Sequence, residues 1–210
     1  MIQEIIQKMT VFDWIIIAVT TIAYLILVMD IIKNNGRSQN FFTWFLWGLL
    51  DSILLITTYK EKGEDLPLIL GCAFGSFLIA FTLLFIKKIE WRKNESQILS
   101  LVIITVIIWL WSGSNLVGII FAVASEMIAG IPLMRASWKS PGSRLTLASY
   151  LFFIISYLFS IQDADNWEIK NVLFPIAFLI YGIGDTSPLI KKWWKIRKRY
   201  KRLKKKKNLV

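Results

Sequence analysis

Seven long apolar blocks, at about 12–32, 41–58, 67–86, 97–112, 115–134, 145–161 and 169–187, leave little choice of architecture for this chain of 210 residues. A helix of roughly 20 apolar residues spans the ~30 Å hydrocarbon core of a bilayer. In that medium each backbone amide must be satisfied inside its own segment, which favours helices for blocks of this length. The chain is 56 % hydrophobic, where a soluble domain is about 45–50 % apolar. An all-α integral membrane protein with seven spans is expected. The fourth block is short, and Pro175 interrupts the seventh. The first block has no basic start and no small-residue cleavage site, so it reads as a retained helix and not a signal peptide.

The basic residues orient the spans. Lys8, Lys60, Lys62 and Lys170 fall on one side, and the other 21 of the 25 Lys and Arg fall on the opposite side. Without the C-terminal tail the split is still 9 to 4. The positive-inside rule then puts the N-terminus outside and the C-terminus in the cytoplasm. The tail from Lys191 carries 12 of the basic residues, which accounts for the net charge of +11. Lys191, Lys192, Trp193 and Trp194 read as a membrane-surface anchor among anionic head groups. Nucleic acid is not an expected partner, because any polycation meets that electrostatic criterion.

A basic loop occurs twice. DIIKNNGRSQ (Asp30 to Gln39) aligns with PLMRASWKSP (Pro132 to Pro141) at an offset of 102 residues. Lys33 matches Arg135, Arg37 matches Lys139 and Ser38 matches Ser140. Both copies lead from the cytoplasmic end of one span into the next. The repeating unit is therefore three helices, and the fourth span restores the orientation of the second unit. This predicts a 3+1+3 arrangement of two parallel repeats related by an axis along the membrane normal. The expected divisions are an external segment 1–11, a first repeat 12–87, a loop and linker helix 88–114, a second repeat 115–187 and a basic tail 188–210.

With this layout the chain resembles the SWEET and PQ-loop superfamily. It is most similar to a group of uncharacterised prokaryotic seven-span proteins related to that superfamily. Their first loop typically reads Pro-Asn-x-x-Thr-Trp-x-x-Trp. Here the run is Gln39-Asn40-Phe41-Phe42-Thr43-Trp44-Phe45-Leu46-Trp47. Their second half typically has a mid-span acid, a proline and a basic loop with Trp and Pro, matched here by Glu126, Pro132, Trp138 and Pro141. The resemblance implies a small-solute transporter (of a sugar, amino acid or similar metabolite) in the cell's inner membrane, with prolines such as Pro132 and Pro175 as hinges. The superfamily also holds a trafficking receptor, so a non-transporting receptor or assembly partner on the same fold stays open. The chain departs from the pattern in having Asp30 where the second copy has Pro132, and in lacking any Pro-Gln dipeptide.

The polar residues inside the spans narrow the chemistry. Asp51 and Glu126 each lie about 12–15 Å from the inner boundary of their spans. An acid at that depth is tolerated when it is protonated, paired or facing water. Both should face the bundle interior and serve a proton or substrate pathway, with Trp44, Trp47 and Asn40 beside them. The competing reading is an acid hydrogen-bonded to a neighbouring hydroxyl. Belt anchoring is the default for Trp44 and Trp47, and interfacial pairing with Lys33 or Lys191–Lys192 is the default for Asp30 and Asp185. The GxxxG step from Gly71 to Gly75 should let two helices approach closely. There is no histidine, and Cys72 is the only cysteine. Histidine-held metals and haem are thereby removed, as are intrachain disulfides and paired-cysteine sites. No phosphate loop or nucleophile motif is present, so neither an enzyme nor a cofactor is expected. The lipid bilayer is the expected partner, with homo-oligomerisation left open.

Overall fold

A computed structural model describes residues 9–36, 39–86, 93–139 and 142–207, with backbone only at 93, 94 and 199–207. These residues form helices and short connections, with no strand. The helices are α1 Val11–Asn34, α2 Phe41–Lys60, α3 Leu66–Ile86, α4 Lys93–Ser112, α5 Asn115–Lys139, α6 Arg144–Asp163 and α7 Ile169–Lys207. All seven are long and apolar enough to cross a membrane. The protein is a multi-pass membrane protein. Arg37, Ser38, Ser140, Pro141 and the 87/88 division lie outside the described residues.

Local chemistry sets the helix ends. Thr10 and Asp13 form a reciprocal capping box at the start of α1, which satisfies two otherwise orphan N–H groups. Asn40 caps α2 through Thr43 N–H, and Ser143 caps α6. Helix α1 stops at Asn35 and Gly36, both with positive φ (51° and 60°). The second copy of the loop has Ser137 and Trp138 at those offset positions, residues that do not favour a left-handed turn. There the helix continues to Lys139, three residues beyond the position equivalent to Asn34. The helix of the seventh span continues past its apolar block to Lys207, with Pro175 and Pro188 inside it.

Helix α3 packs on both α1 and α2, and α7 packs on both α5 and α6. Helix α1 also packs on α6, and α2 on α5. The contacts close a ring of six helices in the order α1, α3, α2, α5, α7, α6. Helix α4 lies outside the ring, mainly against α5. Two sets of hydrogen bonds cross the seams of the ring. On one, Thr43 Oγ1 donates to Ala129 O at 3.0 Å and Trp47 Nε1 to Glu126 O at 2.7 Å. On the other, Ser149 Oγ donates to Ala23 O at 2.8 Å. Large apolar side chains such as Phe74, Phe85, Leu110 and Trp111 point outward. In water such patches would associate, and in a bilayer they meet acyl chains.

Glycine permits one close approach in particular. A Cβ on Gly75 would sit 2.2 Å from the Tyr24 ring, whereas one on Gly71 would be in ordinary contact with Thr20 at 3.4 Å. The tight end of the GxxxG step is therefore Gly75, and it lets the Tyr24 ring lie flat on α3.

Candidate functional site

The ring encloses a cavity to which all six of its helices contribute. Tyr24 comes from α1, Trp44, Trp47 and Asp51 from α2, and Cys72 and Ser76 from α3. Leu133 comes from α5, Tyr150, Phe153 and Tyr157 from α6, and Phe178, Tyr181 and Asp185 from α7. The unfilled space between them, counted out to its mouth, is about 460 Å³. Among the described residues, no Lys or Arg lines it.

The aromatic walls hold one another at steep angles. Trp44 and Trp47 meet at 88° with centroids 5.0 Å apart, and Trp47 meets Tyr181 at 82° and 5.3 Å. Tyr24 meets Phe153 at 76° and 4.7 Å. Edge-to-face contacts of this kind set the positive ring edge of one partner against the negative face of the other. Tyr181 O–H also donates to Gly130 O at 2.6 Å.

Asp51 and Glu126 are both buried, at 2 % and 0 % exposure. Asp51 Oδ2 accepts from Ser76 Oγ at 3.2 Å, and Ser76 Oγ lies 3.3 Å from the Tyr24 hydroxyl. The Asp51 and Glu126 carboxyls lie within hydrogen-bonding reach of one another. Asp51 Oδ1 and both Glu126 oxygens receive no N–H or O–H donor from the described residues. A carboxylate only accepts, whereas a protonated carboxyl also donates. One proton between the two groups therefore converts facing acceptors into a hydrogen bond. The hydroxyl-bonded reading holds for Asp51 in part, and Glu126 has no hydroxyl partner of that kind among the described residues.

Several expectations change in three dimensions. Trp44 and Trp47 are not belt anchors: they are 2 % and 5 % exposed. Their indole N–H groups find buried acceptors, Gln39 Oε1 at 2.9 Å for Trp44 and Glu126 O for Trp47. Asn40 does not line the cavity, because its side chain caps α2 and donates to Glu95 at 3.3 Å. Asp30 is not held by Lys33. It accepts from Ser143, from Thr146 at 2.6 Å and from Asn34 at 2.7 Å, and so ties the end of α1 to the start of α6. Asp185 is not an interfacial partner of Lys191 or Lys192. It is 2 % exposed, lines the cavity and has an Oδ1 that no described residue hydrogen-bonds. Pro132 lies inside α5 and Pro175 inside α7. In the tail, Lys191 lies over Trp138, Arg144 over Trp193 and Lys198 over Trp194, while Lys192 Nζ donates to Gly142 O at 3.1 Å. Position along the chain gave no sign that Asp185, Tyr24, Phe178 and Tyr181 line one cavity.

A second, smaller pocket lies at the other end of the ring, lined by Asp13, Glu64, Asp65, Ser160 and Asp163. Asp65 joins the two sides of that end by accepting from Ser160. Burial, with Glu64 and Asp163 nearby, pushes the Asp65 carboxyl up to about 8. Among the described residues no group of three or more Cys, Asp or Glu could hold a metal ion.

The chain matches no protein-family model, no curated protein and no solved structure at a significant level.

Proposed function

We propose that the protein is a transporter of a small solute in the cell's inner membrane, with the N-terminus outside and the C-terminus in the cytoplasm. The observation that carries this reading is the cavity at the centre of the ring, where buried acids meet an aromatic wall. A scaffold or assembly partner has no need of unpartnered carboxylates in an internal cavity, since a buried polar group without a partner is destabilising. A transporter needs a polar site within the membrane that can be exposed in turn to either side.

The same reading takes the ring as a 3+1+3 arrangement related to the SWEET and PQ-loop architecture. It is supported by α3 lying between α1 and α2 as α7 lies between α5 and α6, with α4 outside as the linker. The pairing of α1 with α6 matches the pairing of α5 with α2 when the two halves exchange places. The basic end of α7 then rests on anionic head groups.

In this mechanism the Asp51–Glu126 pair couples solute to protons. The pair joins a helix of the first half to a helix of the second. Loss of its proton places two carboxylates face to face and pushes the seam apart. The test uses purified protein in liposomes, loaded in turn with radiolabelled sugars, amino acids and amines, with and without a pH gradient. The parent protein should accumulate one of these classes when a gradient is imposed. Glu126→Gln keeps the shape and a donor toward Asp51 but removes titration. It should still exchange labelled for unlabelled solute and lose gradient-driven accumulation. Unchanged accumulation would remove Glu126 from the coupling role.

A further inference from the structure

We infer that the cavity selects a small organic cation, an amine or quaternary ammonium, over neutral and anionic solutes of the same size. This rests on reading the cavity as a solute site.

The lining has little polar capacity left to offer. Of the 14 described lining residues, eight are aromatic, among them Tyr24, Trp44, Trp47, Tyr150 and Tyr181. Most of their polar atoms are already engaged. Trp44 and Trp47 spend their N–H groups on Gln39 and on Glu126 O. Tyr24 donates to Cys72 O at 3.2 Å, Tyr181 to Gly130 O, and the Tyr150 oxygen is met by the Gln39 amide at 3.5 Å. What remains toward the cavity is ring surface. A neutral polyol, with a donor and an acceptor on each hydroxyl, would lose water here and find few replacements.

The charged groups point the same way. Asp51 and Asp185 line the cavity, each 2 % exposed and each with an Oδ1 that no described residue hydrogen-bonds. Glu126 stands behind Asp51 with both oxygens lacking an N–H or O–H donor. None of the described lining residues is basic. An anion would therefore enter a field of its own sign. A cation would meet the negative faces of the rings, a contact worth about 0.5–2 kcal/mol per ring depending on desolvation. It would also supply the missing partner for a buried carboxylate. The steep angles between Trp44, Trp47 and Tyr181 form these walls before any ligand arrives, which limits the ordering penalty on binding.

The test separates charge from shape. Purified full-length protein in detergent is titrated with radiolabelled choline in a scintillation-proximity assay. Competitors are tetramethylammonium, 3,3-dimethyl-1-butanol (the uncharged isostere of choline), glucose and acetate. Saturable choline binding is expected, displaced by tetramethylammonium and at least tenfold less well by the butanol, glucose or acetate. Asp185→Asn, which keeps the side-chain shape, should weaken choline binding at least tenfold while its helical circular dichroism and size-exclusion profile stay those of the parent. Trp47→Leu should weaken it as well. Equal displacement by choline and its neutral isostere, the absence of saturable choline binding, or unchanged affinity in a folded Asp185→Asn protein would each overturn the inference. Liposome uptake with the same compounds tells this failure from failure of the transport reading. Uptake of glucose without choline binding removes the cation site and leaves a transporter. Charge-selective choline binding with no flux of choline leaves the cation site and removes transport.

Discussion

Asp65 offers a stability measurement whose sign and size follow from the fold. It immediately precedes α3 and is 4 % exposed, with one oxygen accepting from Ser160 and Oδ2 without a partner among the described residues. Burial pushes its carboxyl from an ordinary value near 4 to about 8. Glu64 and Asp163 add like charge, while the Ser160 hydroxyl offsets part of the effect. The folded protein therefore keeps a proton that the unfolded chain releases near pH 4. Between those values the native state binds more protons, so stability falls as pH rises. Asp65's contribution is fully present below about pH 4 and lost by about pH 8. The steepest slope one group can give is about 1.4 kcal/mol per pH unit. From pH 5 to pH 7 this is at most about 3 kcal/mol, or roughly 6–11 °C in Tm for a chain of this size. Asp65→Asn cannot titrate, and its amide oxygen can still accept from Ser160. Thermal unfolding in detergent from pH 5 to 8 should show the parent losing several degrees more than Asp65→Asn, with the two curves converging at the acidic end. Parallel curves across the whole range would refute the buried-acid argument, as would a parent whose stability rises with pH relative to the variant.

Other perturbations test the packing and the topology. Gly75→Ala places a methyl 2.2 Å from a Tyr24 ring that Phe153 confines; overpacking of this kind costs about 1–3 kcal/mol, so Tm in detergent should fall by several degrees, and an unchanged Tm would mean that the ring moves freely. Tyr181→Phe removes the 2.6 Å hydrogen bond to Gly130 O and should cost about 1 kcal/mol by the same measurement. For orientation, a reporter fused at Val210 should read as cytoplasmic and one near Asp163 as external; a cytoplasmic reading at Asp163 would end the orientation argued from charge.

The number and placement of the spans were legible because a bilayer leaves a strong trace in one dimension: apolar length. The ends were less so. The first basic loop contains Asn35-Gly36 and stops its helix, while the second lacks that turn chemistry and lets α5 continue to Lys139. Pro175 marks a local change and not an end: a proline removes one intrahelical bond, and α7 runs through it and through Pro188, as neighbouring helices permit inside a membrane. The acids failed for a common reason. Asp30 and Asp185 have lysines close by along the chain, so a sequence reading assigns them those partners. Asp30 instead finds Ser143 and Thr146, more than 110 positions away, and Asp185 turns into the cavity. Trp44 and Trp47, one turn apart, read identically whether they face head groups or the bundle centre. Only the acceptors they reach, Gln39 and the Glu126 carbonyl, decide between the two.

The offset of 102 residues that relates the basic loops also relates the two seams of the ring. Moving Tyr24 by that offset gives Glu126, and moving Asp51 gives Phe153. On the α2–α5 seam the pair is Asp51 with Glu126, two carboxyls facing each other. On the α1–α6 seam the same two positions hold Phe153 with Tyr24, two rings in edge contact at 4.7 Å. The backbone-directed bonds nearby follow suit: Trp47 donates to the carbonyl of Glu126, and Ser149, its counterpart at the offset, donates to Ala23 O beside Tyr24. Similar frames thus carry opposite chemistry. An aromatic pair is held by dispersion and ring electrostatics and does not respond to protons. A carboxyl pair attracts with one proton and repels with none. If the halves move against each other, a change of protonation acts on the α2–α5 seam alone, with the α1–α6 seam as its fixed side. On the proposed 3+1+3 reading, the two halves therefore differ at the pair of positions where a proton-driven motion would need them to differ.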